Sequence, residues 1–330
     1  HAYTAVMEAI EMSGLSESDI ANERTGLIIG NDSSTLANVS QVDITRERRS
    51  TLPIGTSKVF QALNSTTTMN LNTILGNKGA SWTISGACAS GGHAIGQACD
   101  LIALGRQDRV ICGGVQEINW QSVCSFDATN AFSIRHNEPE KASRPFDADR
   151  DGLVPSGGAA IVILERYDMA KKRGANILGR VRAYAFSADG SDLAVPSGDG
   201  LKRCMKECLN RGMINPGEVN YISAHGTSTP VGDAAEAQAI VNVFGNKTPW
   251  VSSIKSMTGH EMWMSGASQV VYASLMAEKG FIAPNINFQQ QEPSAAKINI
   301  ATETIEASLK YILLNSAGFG GTNSCLLLEV

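Results

Sequence analysis

The 330-residue sequence has no long apolar run, no excess of positive charge and no even set of cysteines. No 18 consecutive residues are apolar, which excludes a membrane-spanning helix. Lysine and arginine number 27 against 32 acidic residues, a net charge of −5, so the broad basic surface of a nucleic-acid-binding protein is absent. The seven cysteines lie scattered in apolar or helical stretches, which favours the reduced thiols of a cytoplasmic protein over a disulfide framework.

What the sequence does have is a 43% share of hydrophobic residues, enough to bury a sizeable core and to exclude disorder. Short apolar runs alternate with helical patterns, which predicts α/β layers with a parallel sheet. The predicted strands are residues 25–30, 81–85, 109–113, 160–164, 219–223, 251–254, 311–315 and 325–328. The predicted helices are residues 89–104, 200–211, 234–244 and 266–279.

Two pairs of similar segments indicate a duplicated unit. Residues 151–165 and 316–329 both run from a glycine-rich turn into an apolar strand, and residues 82–104 and 252–279 both read as strand, turn and long helix. We therefore predict two similar halves, residues 1–165 and 166–330. Residues 1–15 already read as an amphipathic helix without a cap, so we expect the natural protein to contain a segment before residue 1.

Cys88 lies where a predicted strand meets a long helix, in the small-residue segment GACASGG at 86–92. A sharp turn there would lift the thiol above the sheet, as a nucleophile elbow presents a serine. The helix N-terminus favours a thiolate and offers free backbone N–H groups to an oxyanion. The pattern predicts a nucleophile, and a buried small residue at a packed turn is the alternative.

His225 and His260 each follow a short predicted strand and stand next to a glycine, in HGTSTPVGD at 225–233 and KSMTGH at 255–260. Side chains at such strand ends face the crevice of an α/β sheet. Taken singly, each is better explained as a structural histidine bound to loop backbone. Two histidines and one thiol in matching positions predict a nucleophile and proton handling for acyl transfer.

The segment GFGGTN at 318–323 forms another predicted turn, before the last strand. Its glycines permit positive φ and close backbone approach, so it is a candidate source of a second oxyanion donor. A phosphate cradle is the competing interpretation, but no P-loop lysine follows and no GxGxxG opens a helix. Cys204 and Cys208, four apart on a predicted helix, are half of a metal site at most, and buried thiols explain them better.

These motifs, with SRPFDADRDG at 143–152, resemble those of the β-ketoacyl-acyl-carrier-protein synthases, condensing enzymes of the thiolase fold, nearest the elongating types I and II. The resemblance extends over residues 25–330. It implies a duplicated thiolase-like fold of five layers, α-β-α-β-α, with an active site between the halves. It also implies that an N-terminal strand and helices are missing from this chain.

The resemblance implies that Cys88 is the acyl-accepting nucleophile and that His225 and His260 assist decarboxylation of a malonyl unit and steady its enolate. Phe319 matches a gating phenylalanine whose backbone N–H joins that of Cys88 in the oxyanion hole. No cysteine occurs in the last glycine-rich turn, where a degradative thiolase has its second thiol. The site is therefore expected to perform decarboxylative condensation, with acyl carrier protein as the partner.

Lys255 matches the motif lysine, and Glu236 matches the acidic residue that partners it. Lys255 would keep the local charge positive and hold the histidine tautomers through a network with Glu236. Two neutral imidazoles donate hydrogen bonds to the thioester oxygen as the carboxylate leaves. This chemistry requires neither a metal nor a cofactor, and we predict none.

Three departures from the family pattern concern the acyl pocket. Asn31 and Asp32 open a polar segment where glycines are usual, Trp263 stands where glycine is usual, and Ala317 stands where phenylalanine is common. Trp263 either forms a flat wall for rigid or unsaturated acyl chains or fills the space that Ala317 leaves.

Because of these three departures, a specialised polyketide or polyene ketosynthase is an alternative to a fatty-acid enzyme. A silent chain-length-factor subunit and a simple acyl hydrolase are weaker alternatives, because Cys88 and both histidines are retained.

Carrier docking needs a local basic patch, because acyl carrier proteins are acidic and this chain is acidic too. Arg46, Arg48 and Arg49 form the densest basic run, and a solvated loop is the alternative. We expect a homodimer or a heterodimer, by resemblance.

Overall fold

The computed structural model describes residues 1–292 and 296–330. The helices are α1 (Ala2–Ser13), α2 (Glu17–Ile20), α3 (Thr35–Arg48), α4 (Thr66–Leu75), α5 (Ser90–Ala103), α6 (Trp120–Asp127), α7 (Tyr167–Lys172), α8 (Asp199–Gly212), α9 (Pro230–Phe244), α10 (Lys255–Thr258) and α11 (Ser265–Lys279). The strands are β1 (Thr25–Gly30), β2 (Ser81–Ile84), β3 (Arg109–Gln116), β4 (Gly158–Glu165), β5 (Arg180–Ala188), β6 (Tyr221–Ser223), β7 (Trp250–Ser252), β8 (Phe281–Ile282), β9 (Asn299–Ile300), β10 (Ile305–Glu306), β11 (Tyr311–Gly318) and β12 (Thr322–Glu329). Within the described ranges, no helix combines the length and the apolar character that crossing a membrane requires.

The first sheet has the strand order β2-β1-β3-β4. Its central strand β1 pairs in parallel with β2 and β3, with Ile29 opposite Thr83 and Gly113, while β4 is antiparallel to β3. Every residue of β1 and β3 is buried. Their continuous apolar runs are typical of strands that are covered on both faces.

The second sheet has the order β5-β12-β11-β6-β7-β9. Strands β11, β6, β7 and β9 run in parallel, whereas β11 and β12 form an antiparallel hairpin and β5 adds an antiparallel edge. The hairpin turn contains the glycines of the predicted GFGGTN turn. Strands β8 and β10 form a separate two-stranded pair.

Helices α5 and α11 lie between the two sheets. Ile95 of α5 and Val270 of α11 share one core cluster with Ile28 of the first sheet and Ile312 of the second. On the outer faces, α1 and α4 cover the first sheet, and α8 and α9 cover the second. This order gives the five layers α-β-α-β-α that the resemblance implies.

The two central helices meet at their N-terminal ends. A Cβ added at Gly266 of α11 would lie 2.4 Å from the backbone nitrogen of Gly92 in α5, so the backbones touch without intervening side chains. This close approach joins the turns that precede the two helices. Those turns contain Cys88 and His260.

Candidate active site

Cys88 lies in a tight turn between β2 and α5. Ala87 has a left-handed φ of 45°, a strained conformation for a residue with a Cβ. Its N–H donates to the Asp32 carboxylate at 2.9 Å, and its carbonyl accepts from the Ser90 hydroxyl at 2.6 Å. These two hydrogen bonds hold the elbow that the small residues around Cys88 predict.

The thiol and the two histidines converge on one point. His260 Nε2 lies 3.2 Å from Cys88 Sγ, and the reactive atoms of Cys88, His225 and His260 all lie within 4.8 Å of one another. The two imidazole rings are edge to face, with centroids 5.3 Å apart. The direct contact between thiol and imidazole is the arrangement of a nucleophile and its proton partner.

His225 lies in the loop after β6, and His260 lies in the segment after β7. The Glu236 carboxylate, from α9, accepts the backbone N–H of His225 at 2.9 Å and that of Gly226 at 2.8 Å. Asn315 Nδ2, in β11, donates to the same carboxylate at 3.1 Å. His260 Nδ1 lies 3.3 Å from the Ser265 hydroxyl at the start of α11. Glu236 thus fixes the backbone of the His225 loop.

Burial and one cation set the charges of the cluster. Burial raises the pKa of the Cys88 thiol to about 12, although the Lys255 ammonium opposes this rise. Burial, reinforced by Lys255, lowers the pKa of both His225 and His260 well below the usual histidine value. The resting site therefore holds a protonated thiol and two neutral imidazoles. The helix N-terminus alone would favour a thiolate, but burial of the sulfur raises the pKa of the thiol by more than the helix lowers it.

A cavity of about 370 Å³ opens at this cluster and is lined by Cys88 and both histidines. Phe126 and Phe319 stack on each other at its wall, with ring centroids 5.7 Å apart. Ala317 also lines the cavity. Phe319 is 44% exposed, so its ring stands between the cluster and solvent.

The β11–β12 turn rests against the Cys88 elbow. A Cβ added at Gly318 would lie 3.0 Å from both the Ala87 Cβ and the Gly86 carbonyl oxygen. Gly320 and Gly321 have φ of 73° and 72°, the left-handed region that glycine permits. The backbone of Phe319 is thereby placed beside Cys88, where a second oxyanion donor is expected.

The other predicted residues lie around this centre. Asp32 belongs to the elbow. Asn31 lines a different cavity, next to α3, and its side-chain amide donates to the Asn64 carbonyl at 2.7 Å.

Trp263 packs against Phe126, with ring centroids 5.9 Å apart. Phe126 lines the active-site cavity, whereas Trp263 lies behind it and is not among the lining residues. Arg46 and Arg48 lie in the exposed last turn of α3, and Arg49 follows as its C-cap residue. The sulfur atoms of Cys204 and Cys208 are buried against main-chain carbonyls.

Two site residues escaped the sequence analysis. Phe126 belongs to no motif, and its helix α6 is only eight residues long. Asn315 ends a predicted strand, but nothing in the sequence shows that its amide reaches Glu236, 79 residues away. Only the folded arrangement of β11 against α9 shows this contact.

We expect Trp263→Gly to act through packing. Trp263 is buried with Cys88, Leu153 and Met262 in one cluster, so its loss should destabilise the fold by about 3–5 kcal/mol. Losses in kcat/KM should then be equal for saturated and polyene acyl chains, with a lower Tm. A changed ratio between these substrates at an unchanged Tm would instead place the indole against the acyl chain.

Two family models match successive parts of the chain. Residues 1–170 match the model described as beta-ketoacyl synthase, N-terminal domain, and residues 178–289 match beta-ketoacyl synthase, C-terminal domain. The 3-oxoacyl-[acyl-carrier-protein] synthase 1 of Haemophilus influenzae is 44% identical over 332 aligned positions, which cover 100% of this chain and 81% of the relative.

Solved structures agree with the sequence comparison. The ketosynthase complex AntDE:AntF, described as a type II PKS acyl-carrier protein with its ketosynthase bound to the hexaketide, gives a TM-score of 0.94 at 30% identity, covering 100% of this chain and 83% of that one. The ishigamide ketosynthase/chain length factor gives 0.92 at 27% identity, with coverages of 100% and 81%. The sequence motifs, the geometry of the site, the sequence comparison and the structure comparison agree, and this chain belongs to the β-ketoacyl synthase family.

Proposed function

We propose that this chain catalyses decarboxylative Claisen condensation of an acyl group on Cys88 with malonyl-acyl carrier protein, giving 3-oxoacyl-acyl carrier protein and CO2 in fatty-acid elongation. The observation that carries the proposal is the convergence of Cys88, His225 and His260 at a cavity of about 370 Å³. The Haemophilus relative is named for this activity, and AntDE:AntF is a complex with an acyl-carrier protein.

In the first step, Cys88 Sγ attacks the acyl thioester. The new carbon–sulfur bond forms, the bond to the carrier thiol breaks, and the Cys88 proton ends on that departing thiol. Backbone N–H groups of Cys88 and Phe319 stabilise the oxyanion, because preorganised donors act most strongly where charge develops. Phe319 also serves as the gate, since its ring lies at the cavity wall.

In the second step, malonyl-carrier loses CO2 and its thioester oxygen becomes an enolate oxygen. The neutral imidazoles of His225 and His260 donate hydrogen bonds to that oxygen as charge accumulates. Lys255 maintains this state, because its charge disfavours protonation of both rings. The enolate carbon then attacks the Cys88 thioester, the carbon–sulfur bond breaks, and the released Cys88 thiolate takes up a proton from solvent, which restores the resting thiol.

The acyl chain occupies the cavity past Ala317, whose small side chain leaves room beside Phe319. Trp263 supports the wall through Phe126. Asp32 contributes by holding the Cys88 elbow, and Asn31 by fixing the segment next to it. The carboxyl-terminal half, residues 166–330, supplies both histidines, and the half 1–165 supplies the nucleophile.

A specialised polyketide or polyene ketosynthase is the second candidate. It is favoured by the TM-score of 0.94 to AntDE:AntF, whose ketosynthase is bound to a hexaketide. A chain-length-factor subunit is disfavoured, because the nucleophile and both histidines stand in contact in this chain. A simple hydrolase would not require the second imidazole.

Intact-mass analysis with a panel of acyl carrier proteins tests these candidates. We expect the chain to gain one acyl group, and to release it as 3-oxoacyl-carrier after malonyl-carrier is added. Preference for polyketide or polyene chains would favour the specialised enzyme. Acyl release as free acid would indicate a hydrolase, and absence of loading from every carrier would contradict the proposal.

The basic run at the end of α3 is the proposed carrier-docking site, with Arg46, Arg48 and Arg49 exposed there. We expect charge reversal at Arg48 and Arg49 to raise KM for acyl-carrier by about tenfold at low salt, with little change in kcat, because exposed charges steer encounter. Reversal of the exposed pair Lys171 and Lys172 in α7 is the matched control. An unchanged KM at low salt would remove the arginine run from consideration.

We further propose that the chain acts as a dimer in the cytoplasm. Trp120 of α6 and Leu36 of α3 are exposed apolar side chains on neighbouring helices, as expected at a subunit interface. All seven cysteines are unpaired, which fits a reducing compartment. Sedimentation analysis gives the subunit number, and labelled chains distinguish a homodimer from a heterodimer.

A further inference from the structure

Gln269 is a buried amide of the central helix α11, and no step above uses it. The residue is only 4% exposed. Its two Nε2 hydrogens are shared among three acceptors: the Ser223 carbonyl at 3.0 Å, the Ser223 hydroxyl at 3.3 Å and the Ala224 carbonyl at 2.9 Å. Its Oε1 accepts the Ser316 hydroxyl at 3.0 Å. Because an unpaired buried amide is costly, these partners hold the side chain in one orientation.

The peptide unit that joins Ala224 to His225 is bound at both of its polar ends. Gln269 binds the Ala224 carbonyl oxygen from α11, and the Glu236 carboxylate accepts the His225 N–H at 2.9 Å from α9. The carbonyl and the N–H belong to one planar group that does not rotate internally. With both ends bound, the plane cannot turn, and the Cα of His225 is fixed with it. We call Gln269 and Glu236 together the peptide clamp.

Both arms of the peptide clamp are anchored to neighbouring residues of β11. Asn315 Nδ2 donates to the Glu236 carboxylate at 3.1 Å, and the next residue, Ser316, donates to Gln269. Successive side chains of a strand point to opposite faces of the sheet, so one residue serves the outer layer and the other serves the central layer. The same strand leads into the turn that contains Phe319.

The His225 ring has less support of its own than the His260 ring. Within residues 1–292 and 296–330, Nδ1 of His225 is buried and has no hydrogen-bond partner. His260 is held through both ring nitrogens, by Cys88 Sγ at 3.2 Å and by the Ser265 hydroxyl at 3.3 Å. The position of the His225 imidazole therefore depends on its backbone.

Resting on the proposed function, we propose that Gln269 is a positioning residue: with Glu236 it clamps the Ala224–His225 peptide, so that the imidazole stays aimed at the enolate oxygen. Gln269 is not among the residues that line the cavity, so it acts on the reaction through His225. A misplacement of about 1 Å at a reacting group can cost about 10²-fold in rate. The peptide clamp therefore controls decarboxylation and leaves the Cys88 elbow untouched.

The first test compares acyl loading with decarboxylation in Gln269→Met. Methionine matches glutamine in length but donates no hydrogen bond, so the Ala224 carbonyl is released while the core remains filled. We expect release of CO2 from malonyl-carrier to fall by about 10²-fold, with loading of Cys88 close to that of the parent. Ser274→Ala, which removes a half-buried hydroxyl from the same helix, should change neither rate. Equal losses of loading and decarboxylation with a lower Tm would overturn the inference and leave Gln269 a packing residue.

If Gln269→Met fails to fold, Ser316→Ala takes its place. This variant removes the hydroxyl that holds Oε1, so the amide is free to turn away from the Ala224 carbonyl. We expect the same selective loss of decarboxylation, smaller than the loss expected for Gln269→Met. Unchanged decarboxylation in this variant would then overturn the inference.

The second test does not require condensation. Isotope-labelled imidazoles let NMR follow the ring signals of the five histidines, with the exposed His136 as the reference. The His225 signals are identified by their absence from His225→Asn. In the folded clamp variant these signals should shift or broaden, whereas those of His136 should match the parent. Unmoved His225 signals would overturn the inference. Moved signals in a variant whose parent fails to condense would overturn the proposed function alone.

Discussion

Cys88→Ser is expected to lose acyl transfer and condensation by several orders of magnitude while the fold survives. Serine matches cysteine in shape, so the elbow held by Asp32 and Ser90 should form unchanged. Burial already raises the pKa of the thiol to about 12, and a hydroxyl is a far weaker acid than a thiol. At position 88 the alkoxide would therefore be too scarce to attack a thioester.

The measurement is acyl loading by intact mass, followed by peptide mapping of the acylated residue. Cys124→Ser is the matched control, because Cys124 is exposed and lies on α6 beside the site. It should load and condense as the parent does. If Cys88→Ser still acquired an acyl group at the parent rate on another of the remaining six thiols, Cys88 would not be the nucleophile.

The sequence predicts the centre of this site well because each reactive residue stands at a recognisable junction. Cys88 lies between a strand and a helix, and His225 follows the short strand β6. The parallel strands β6 and β7 bring His225 and His260 to one edge of the second sheet. Cys88 follows β2 of the first sheet, and it reaches the histidines because α5 and α11 meet at their N-terminal ends. The predicted strand at 25–30 and the predicted helix at 266–279 lie within one residue of the observed β1 and α11.

The elements that escaped prediction lack a periodic signal. Helix α3 has no buried residue, so no apolar stripe marks it, and α4 begins with three β-branched threonines of weak helix propensity. Strand β5 is an edge strand whose place depends on pairing with β12. The position of Trp263 behind Phe126 was equally beyond the sequence, because it depends on where α6 docks.

The last prediction concerns His260, which should be needed most for decarboxylation. We expect His260→Ala to reduce release of CO2 from malonyl-carrier by about 10²–10⁴-fold, the range for a positioned proton-handling side chain. His260→Gln should recover part of this, because its amide can donate from near the Nε2 position. Acyl loading, measured by intact mass, should fall less, since Cys88 and its elbow remain. Equal losses of loading and decarboxylation would contradict a separate role for the imidazole.

A pH measurement distinguishes this role from a structural one. The pKa of His260 is held well below the unfolded value near 6.5, so the unfolded chain binds the additional proton first as pH falls. The parent should therefore lose stability below about pH 6.5, whereas His260→Ala should lose less, because it has one fewer buried imidazole to charge. Denaturation midpoints at pH 7.5 and 5.5 measure the difference. If the alanine variant were as acid-sensitive as the parent, the ring would not be the neutral, buried donor that decarboxylation requires.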